Sequence, residues 1–251
     1  MEHLKVSVSD RVATLTMARP DALNAFIPPL LRELMDAIDG LASSQEVGCV
    51  VLEGEGRAFS AGVDLKMLQS ASFEAGRVDG IFEGEPFEVI DRIRHFPLPI
   101  IAKVHGFCFT GALEMALHCD FILTTEDTKF GDTHAKFGVR PSWGMSQNLA
   151  RAVGVRRARE LSFTAASFSG TEAAAWGLAN AAFPDKATLD AETARRAQQI
   201  ASNSPGIIKA YKDLYRLHEE NKPLETALQE EVARDYPFID DTGKRLATFG
   251  Q

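Results

Sequence analysis

The sequence predicts an α/β fold closed by a helical appendage, and three observations carry that reading. Short apolar runs rich in β-branched residues recur at 12–17, 47–52, 100–104 and 121–124. Segments with apolar residues at helical spacing alternate with them, and beyond Leu189 the strand-type runs stop. A length of 251 residues with 45% hydrophobic content is enough for one large core and a smaller addition. The expected division is an α/β core over 1–189 and a helical region over 190–251.

Taken in order, 4–8 and 12–17 read as a hairpin across Ser9-Asp10, followed by a loop over 18–27. From Pro28 onward Leu30, Leu31, Leu34, Met35, Ile38 and Leu41 share one helical face, with Pro28 and Pro29 suited to the first turn and Gly40 near the end. The run 47–52 is apolar throughout and reads as a strand buried on both faces. The strand–helix–strand pattern returns as 100–104, 112–118 and 121–124. Between them, 69–85 has weak periodicity and many small or polar residues, which predicts a mobile loop near the ligand entrance. Three helices are expected at 190–202, 207–219 and 224–234, with Ser204-Pro205 and Pro223 as start signals.

Composition narrows the function. A net charge of −8 and a pI near 5.3 offer no concentrated basic surface, which argues against a nucleic-acid partner while leaving room for a phosphorylated ligand held by a few local cations. Cys49, Cys108 and Cys119 lie in apolar surroundings and read as buried thiols of a reducing compartment. The first residues do not read as a targeting leader, and no stretch approaches the roughly 18 to 20 apolar residues needed to span a bilayer. A cytoplasmic protein without membrane or nucleic-acid partners is the expectation. The six histidines are scattered, and Cys108, His118 and Cys119 lack the paired spacing of a metal site. Gly54-Glu55-Gly56 lacks the third glycine of a dinucleotide fingerprint, and Ser60 does not sit in a hydrolase elbow.

Two glycine-bearing segments carry the chemistry. Ala58-Phe59-Ser60-Ala61-Gly62-Val63-Asp64-Leu65 and His105-Gly106-Phe107-Cys108-Phe109-Thr110-Gly111-Ala112-Leu113-Glu114 each follow a strand-like run and each lead into a helix. Such turns can aim two backbone N–H groups at one developing oxyanion, in a dry site where each donor stabilises the transition state by about 3–4 kcal/mol. The bland alternative is that the glycines only permit tight turns. Glu114 follows Gly111 by three residues and is set among Leu113, Met115, Ala116 and Leu117, so desolvation should tune it toward acid/base work.

These segments, in this order, resemble the crotonase superfamily, the enoyl-CoA hydratase/isomerase group. The resemblance runs over roughly 12–205 and takes in Arg19-Pro20-Asp21-Ala22-Leu23-Asn24-Ala25, the run from Gly56 to Leu65, and Leu98 to Gly106 leading to Gly111 and Glu114. Phe130-Gly131, Gly138, Pro141, Arg151-Ala152-Val153-Gly154 and 173–178 complete it. It implies a spiral of ββα units, a CoA thioester substrate with no separate cofactor and no metal, and a homotrimer or dimer of trimers whose C-terminal helices build the assembly and close the pocket.

Carried over by position, the resemblance gives the oxyanion hole to the Val63 and Gly111 amides and makes Glu114 one of two hydratase glutamates. His134 stands where the other glutamate is usual. An imidazole with an ordinary pKa of about 6.5 can move a proton near neutrality. A cationic His134 would protonate the α-carbon, while a neutral one would only orient substrate or water. Asp132 is a second carboxylate close by. Substrate or CoA contacts are implied for Ala22, Ala25, Arg57, Ala61, Asp64, Leu65, Phe107 and Pro141, with Lys66 flanking the first segment and Trp143 either shaping the acyl end or packing. The basic C-terminal run frequent in the family is not matched at 246–251. The resemblance implies hydration of a 2-enoyl-CoA. Enoyl-CoA isomerisation, another acyl-CoA lyase reaction, and acyl-CoA binding with weak catalysis are the alternatives.

Overall fold

In the computed structural model, residues 1–247 are described. The chain opens with the antiparallel hairpin β1 (Leu4–Ser9) and β2 (Val12–Met17), in which Leu4 pairs with Met17 and Ser9 with Val12. Helix α1 (Pro28–Ala42) follows, with Leu30, Leu31, Leu34, Met35, Ile38 and Leu41 buried as their spacing predicts. Next come β3 (Cys49–Gly54), α2 (Leu65–Gln69), β4 (Ser72–Glu74), β5 (Arg77–Asp79) and α3 (Glu85–His95). The middle of the chain runs through β6 (Ile100–Val104), β7 (Phe107–Phe109), α4 (Gly111–Ala116), β8 (Phe121–Thr125), β9 (Lys129–Gly131) and α5 (His134–Phe137). It continues through α6 (Met145–Val153), α7 (Val155–Thr164), β10 (Ser167–Ser169), α8 (Gly170–Ala175) and β11 (Ala181–Phe183). The last helices are α9 (Lys186–Ser202), α10 (Pro205–Glu219), α11 (Leu224–Ala233) and α12 (Thr242–Leu246).

A six-stranded sheet of order β1-β2-β3-β6-β8-β11 forms the spine, parallel from β2 onward. Strand alternation sends Val50, Leu52, Ile100, Ala102 and Ile122 into the main core with α1, α3 and α4. Cys49, Val51, Ile101 and Leu123 point the other way, into a second core with Leu189, Ala197 and Ala201 of α9. Burial on both faces explains why these strands read as unbroken apolar runs. All three cysteines are buried and unpaired.

Two expectations change. The boundary drawn at 189/190 falls inside α9, which begins at Lys186 and forms a layer on the sheet. Its contact face is built from Leu189, Thr193 and small alanines, so the end of the strand signals came before the end of the core. The stretch 69–85 is also not simply a loop. Ala75 and Gly76 both take positive φ, 49° and 75°, which closes the tight hairpin β4/β5, and the Arg140 amide donates to the Gly76 carbonyl at 2.7 Å. The last four residues of the 190–251 region, 248–251, lie outside the described residues. Among the described residues no helix is long and apolar enough to cross a membrane.

The site follows from a second, smaller sheet of order β10-β9-β7. Units of strand in the large sheet, strand in the small sheet, then helix repeat as β6-β7-α4 and β8-β9-α5, and β3 with Ser60 and α2 forms a reduced version. Parallel pairing sets Ser60 beside Cys108 and Cys108 beside Phe130. Three residues beyond each of these positions the chain reaches Val63, Gly111 and Thr133, so three successive turns stand at one level. Gly106 allows the first two units to touch. At φ 66° it lies so close to the preceding turn that a Cβ would come 1.9 Å from the Arg57 carbonyl.

Gly106→Ala is therefore expected to destabilise the protein by about 2 kcal/mol or more in urea unfolding. Gly138→Ala, at φ 67° with nothing within 4 Å, is expected to cost only about 1 kcal/mol. Equal costs would show that the close approach does not matter.

Candidate active site

In the turn after β3, the amides of Ser60, Ala61, Gly62 and Asp64 are all engaged. Ser60 N donates to the Phe107 carbonyl (3.1 Å), Ala61 N to Leu23 (2.9 Å), Gly62 N to the Ser60 hydroxyl (3.1 Å) and Asp64 N to Phe26 (3.1 Å). The Val63 amide has no protein acceptor among the described residues. In the next unit Thr110 N donates to the Gly131 carbonyl (2.9 Å), while Gly111, first residue of α4, also has no acceptor for its amide. The two turns abut, since a Cβ on Gly62 would lie 3.3 Å from the Gly111 nitrogen. Two unengaged donors, one with the dipole of a helical turn behind it, therefore stand side by side.

Thr110 holds the approach to Gly111 in a rare conformation for a β-branched residue, φ 50° and ψ −110°. Its hydroxyl hydrogen-bonds that of Thr133 in the third turn, and Thr133 N donates to it at 3.3 Å. The benzo ring of Trp143 packs against Gly111. A Cβ there would fall 2.6 Å from the indole, so only glycine fits under the ring. Phe26 (6.2 Å between centroids) and Phe82 (5.8 Å, edge-on) complete an aromatic wall.

Glu114, 1% exposed, faces this wall. Its Oε1 accepts the amides of Trp143 and Met145, each at 3.0 Å, and Oε2 lies 3.7 Å from Nε2 of His134. Burial pushes Glu114 up to about 7, against the His134 charge and the two amides that favour the carboxylate. Asp132 turns inward as well. Its Oδ1 accepts Nδ1 of His134 at 2.7 Å and the His134 amide at 3.2 Å. Burial raises the Asp132 carboxyl, but hydrogen bonds from the side chains of His134 and Ser162, with the His134 charge, hold it below the ordinary range. An ionised Asp132 fixes the proton on Nδ1 and turns Nε2 toward Glu114.

The chain 22–26 runs beside 61–64, bringing Ala22, Ala25, Ala61 and Asp64 together; Phe26 N donates to the Gly62 carbonyl at 2.7 Å. Asp64 is engaged at both oxygens, accepting Lys66 N at 3.0 Å and pairing with Arg19 at 3.3 Å. Phe107 joins the same cluster through its carbonyl. Leu65, Arg57 and Pro141 are exposed, Pro141 in the loop between α5 and α6. No side-chain pattern in the sequence marks the main-chain amides of Trp143 and Met145 that hold Glu114, and none fixes the inward direction of Asp132. The Asp132-Thr133-His134 spacing just before a helix was the available signal.

A family model, enoyl-CoA hydratase/isomerase, matches residues 7–245. The chain belongs to the enoyl-CoA hydratase/isomerase family. It is an enzyme of the crotonase fold. It is 37% identical over 230 residues to a Rhizobium meliloti protein named "Probable enoyl-CoA hydratase", covering 91% of this chain and 85% of that one. It is 33% identical to the short-chain-enoyl-CoA hydratase of Clostridium acetobutylicum, over 80% of this chain and 76% of the other. The crystal structure of an enoyl-CoA hydratase from Bacillus anthracis superposes with a TM-score of 0.85 at 28% identity, over 98% and 95% of the two chains.

The Glu114 carboxyl makes stability depend on pH. Its folded value of about 7 lies above the ordinary 4.5, so its contribution is full below that ordinary value and is lost as pH rises to about 7. Glu114→Gln removes this loss. The variant is expected to gain on the wild type by on the order of 2–3 kcal/mol between pH 5 and 8 in urea titrations, levelling off above neutrality. A pH-independent difference would count against a buried, raised carboxyl.

Proposed function

We propose that this enzyme hydrates a 2-enoyl-CoA to a 3-hydroxyacyl-CoA. What supports the reading is the abutment of two turns whose Val63 and Gly111 amides have no acceptor among the described residues, beside a buried carboxyl that faces an aspartate-oriented imidazole. The thioester oxygen sits between the two amides. Glu114 takes a proton from water as the water oxygen bonds to C3, and the double-bond electrons move through C2 onto the thioester oxygen. The imidazolium of His134, stabilised by Asp132, then delivers its Nε2 proton to C2. Proton transfer from Glu114 to His134 restores the pair, so one water is added and nothing else is consumed. No separate cofactor takes part, because CoA arrives with the substrate.

Ala22, Ala25, Ala61, Leu65 and Phe107 fit contacts along the CoA and pantetheine path, with Arg57 at the exposed end and Pro141 near the acyl end. Three unpaired thiols fit a reducing compartment such as the cytoplasm. The C-terminal helices support a homotrimer or dimer of trimers. Ile207, Tyr211 and Tyr215 form an exposed row on α10, and α11 buries none of its residues while showing Leu224, Leu228 and Val232, the last 88% exposed.

Incubation with short 2-enoyl-CoA and 3-enoyl-CoA in deuterated water tests the activity. The expected product of the 2-enoyl substrate is a 3-hydroxyacyl-CoA with deuterium at C2. Glu114→Gln and His134→Ala are each expected to lower turnover by roughly 100- to 10,000-fold. Migration of the double bond would make the enzyme an isomerase, and binding without turnover would make it an acyl-CoA binding protein. Full hydration by Glu114→Gln would remove it as the base. For assembly, Leu228→Asp with Val232→Asp is expected to shift sedimentation from trimer or hexamer to smaller species; an unchanged assembly places the interface elsewhere.

A further inference from the structure

Four residues beyond Glu114, just past the end of α4, His118 faces the turn that holds the Glu114 carboxyl. Its Nε2 lies 2.7 Å from the Trp143 carbonyl oxygen. A carbonyl only accepts, so Nε2 carries the proton and Nδ1 is left as the acceptor; the Asn148 side-chain nitrogen lies beside the ring, 3.3 Å from Nε2 and 3.4 Å from Nδ1. Burial favours this neutral form and lowers the His118 pKa. The Trp143 contact and Glu219 of α10 oppose that lowering, while Arg94 of α3 adds to it. The turn is packed directly on the ring, since a Cβ on Gly144 would lie 2.9 Å from both His118 Nε2 and Asn148 Nδ2.

The held carbonyl belongs to the peptide between Trp143 and Gly144. The peptides on either side carry the two amides, Trp143 N and Met145 N, that meet at Glu114 Oε1. Fixing the middle peptide therefore fixes the direction of both donors. We propose that His118 is a positioning residue for the reaction: by holding the Trp143 carbonyl it aims two amides at one oxygen of Glu114 and leaves the other turned toward His134 and substrate. The proposal rests on Glu114 being the base. Arg94 and Glu219 are the charged groups that face His118 from neighbouring elements, and His134 and Asp132 are those that face Glu114.

The test compares His118→Leu, which cannot donate, with His118→Gln, whose side-chain amide can. The measurements are hydration of a short 2-enoyl-CoA across pH and hydrogen exchange at the Trp143 and Met145 amides. His118→Leu is expected to lower kcat by roughly 10- to 100-fold with KM within about threefold, because Glu114 loses alignment and substrate contacts stay. The acid limb of the kcat/KM profile should move to higher pH as the carboxylate loses its donors, and the two amides should exchange at least about tenfold faster. His118→Gln is expected to return kcat to within about threefold and to restore the limb. Unchanged exchange and an unmoved limb in His118→Leu overturn the brace, as does a glutamine variant no better than leucine. Full activity in Glu114→Gln overturns the base reading on which it rests, which the exchange measurement by itself would not do.

Discussion

The parallel register of successive ββα units is the constraint on which the active site depends. Because Ser60 pairs with Cys108 and Cys108 with Phe130, each unit leaves the small sheet at the same level and turns into its helix at the same place. Val63, Gly111 and the Asp132–His134 turn are thus copies of one structural position, brought together by strand pairing rather than by side-chain contacts. A slip of one residue in any unit would turn its strand residues to the opposite face and carry its donor out of the cluster. The two apolar cores, one on each face of the large sheet, hold that register.

Electrostatics then separates two carboxyl groups that lie against the same imidazole. Asp132 accepts two hydrogen bonds from His134 and stays low, while Glu114, deeper and facing Nε2 at 3.7 Å, is lifted to about 7. Environments that push neighbouring groups apart in this way let one act as a fixed anion and the other exchange a proton near neutrality. The folded state carries the strain: a buried carboxyl with a raised pKa and a threonine at positive φ both persist because the surroundings over-determine them.

Much of this was legible from the residues. The hairpin, α1, the doubly buried strands and both glycine segments have side-chain patterns that report their structure, and Glu114 stands out as a carboxyl in an apolar helix. The three-residue strands β7, β9, β10 and β11 are too short to show a period, although two of them set the register of the site. Helix α9 does not read as a core layer because its buried face is mostly small residues, which pack closely without looking strongly apolar. The carboxyl-binding amides of Trp143 and Met145 left no trace at all, since a main-chain donor is the same in every residue but proline.

The hairpin tip at Gly76 is joined to the loop after α5 by the Arg140 amide and the Gly76 carbonyl, main chain to main chain. A tether of that kind depends on the backbone conformation that Gly76 sets at φ 75°, and not on the side chains of β4 and β5. Residues on β4 and β5 can therefore be exchanged while the attachment itself persists. The hairpin is thus anchored through main chain at its tip, while the residues of its two strands stay largely exposed.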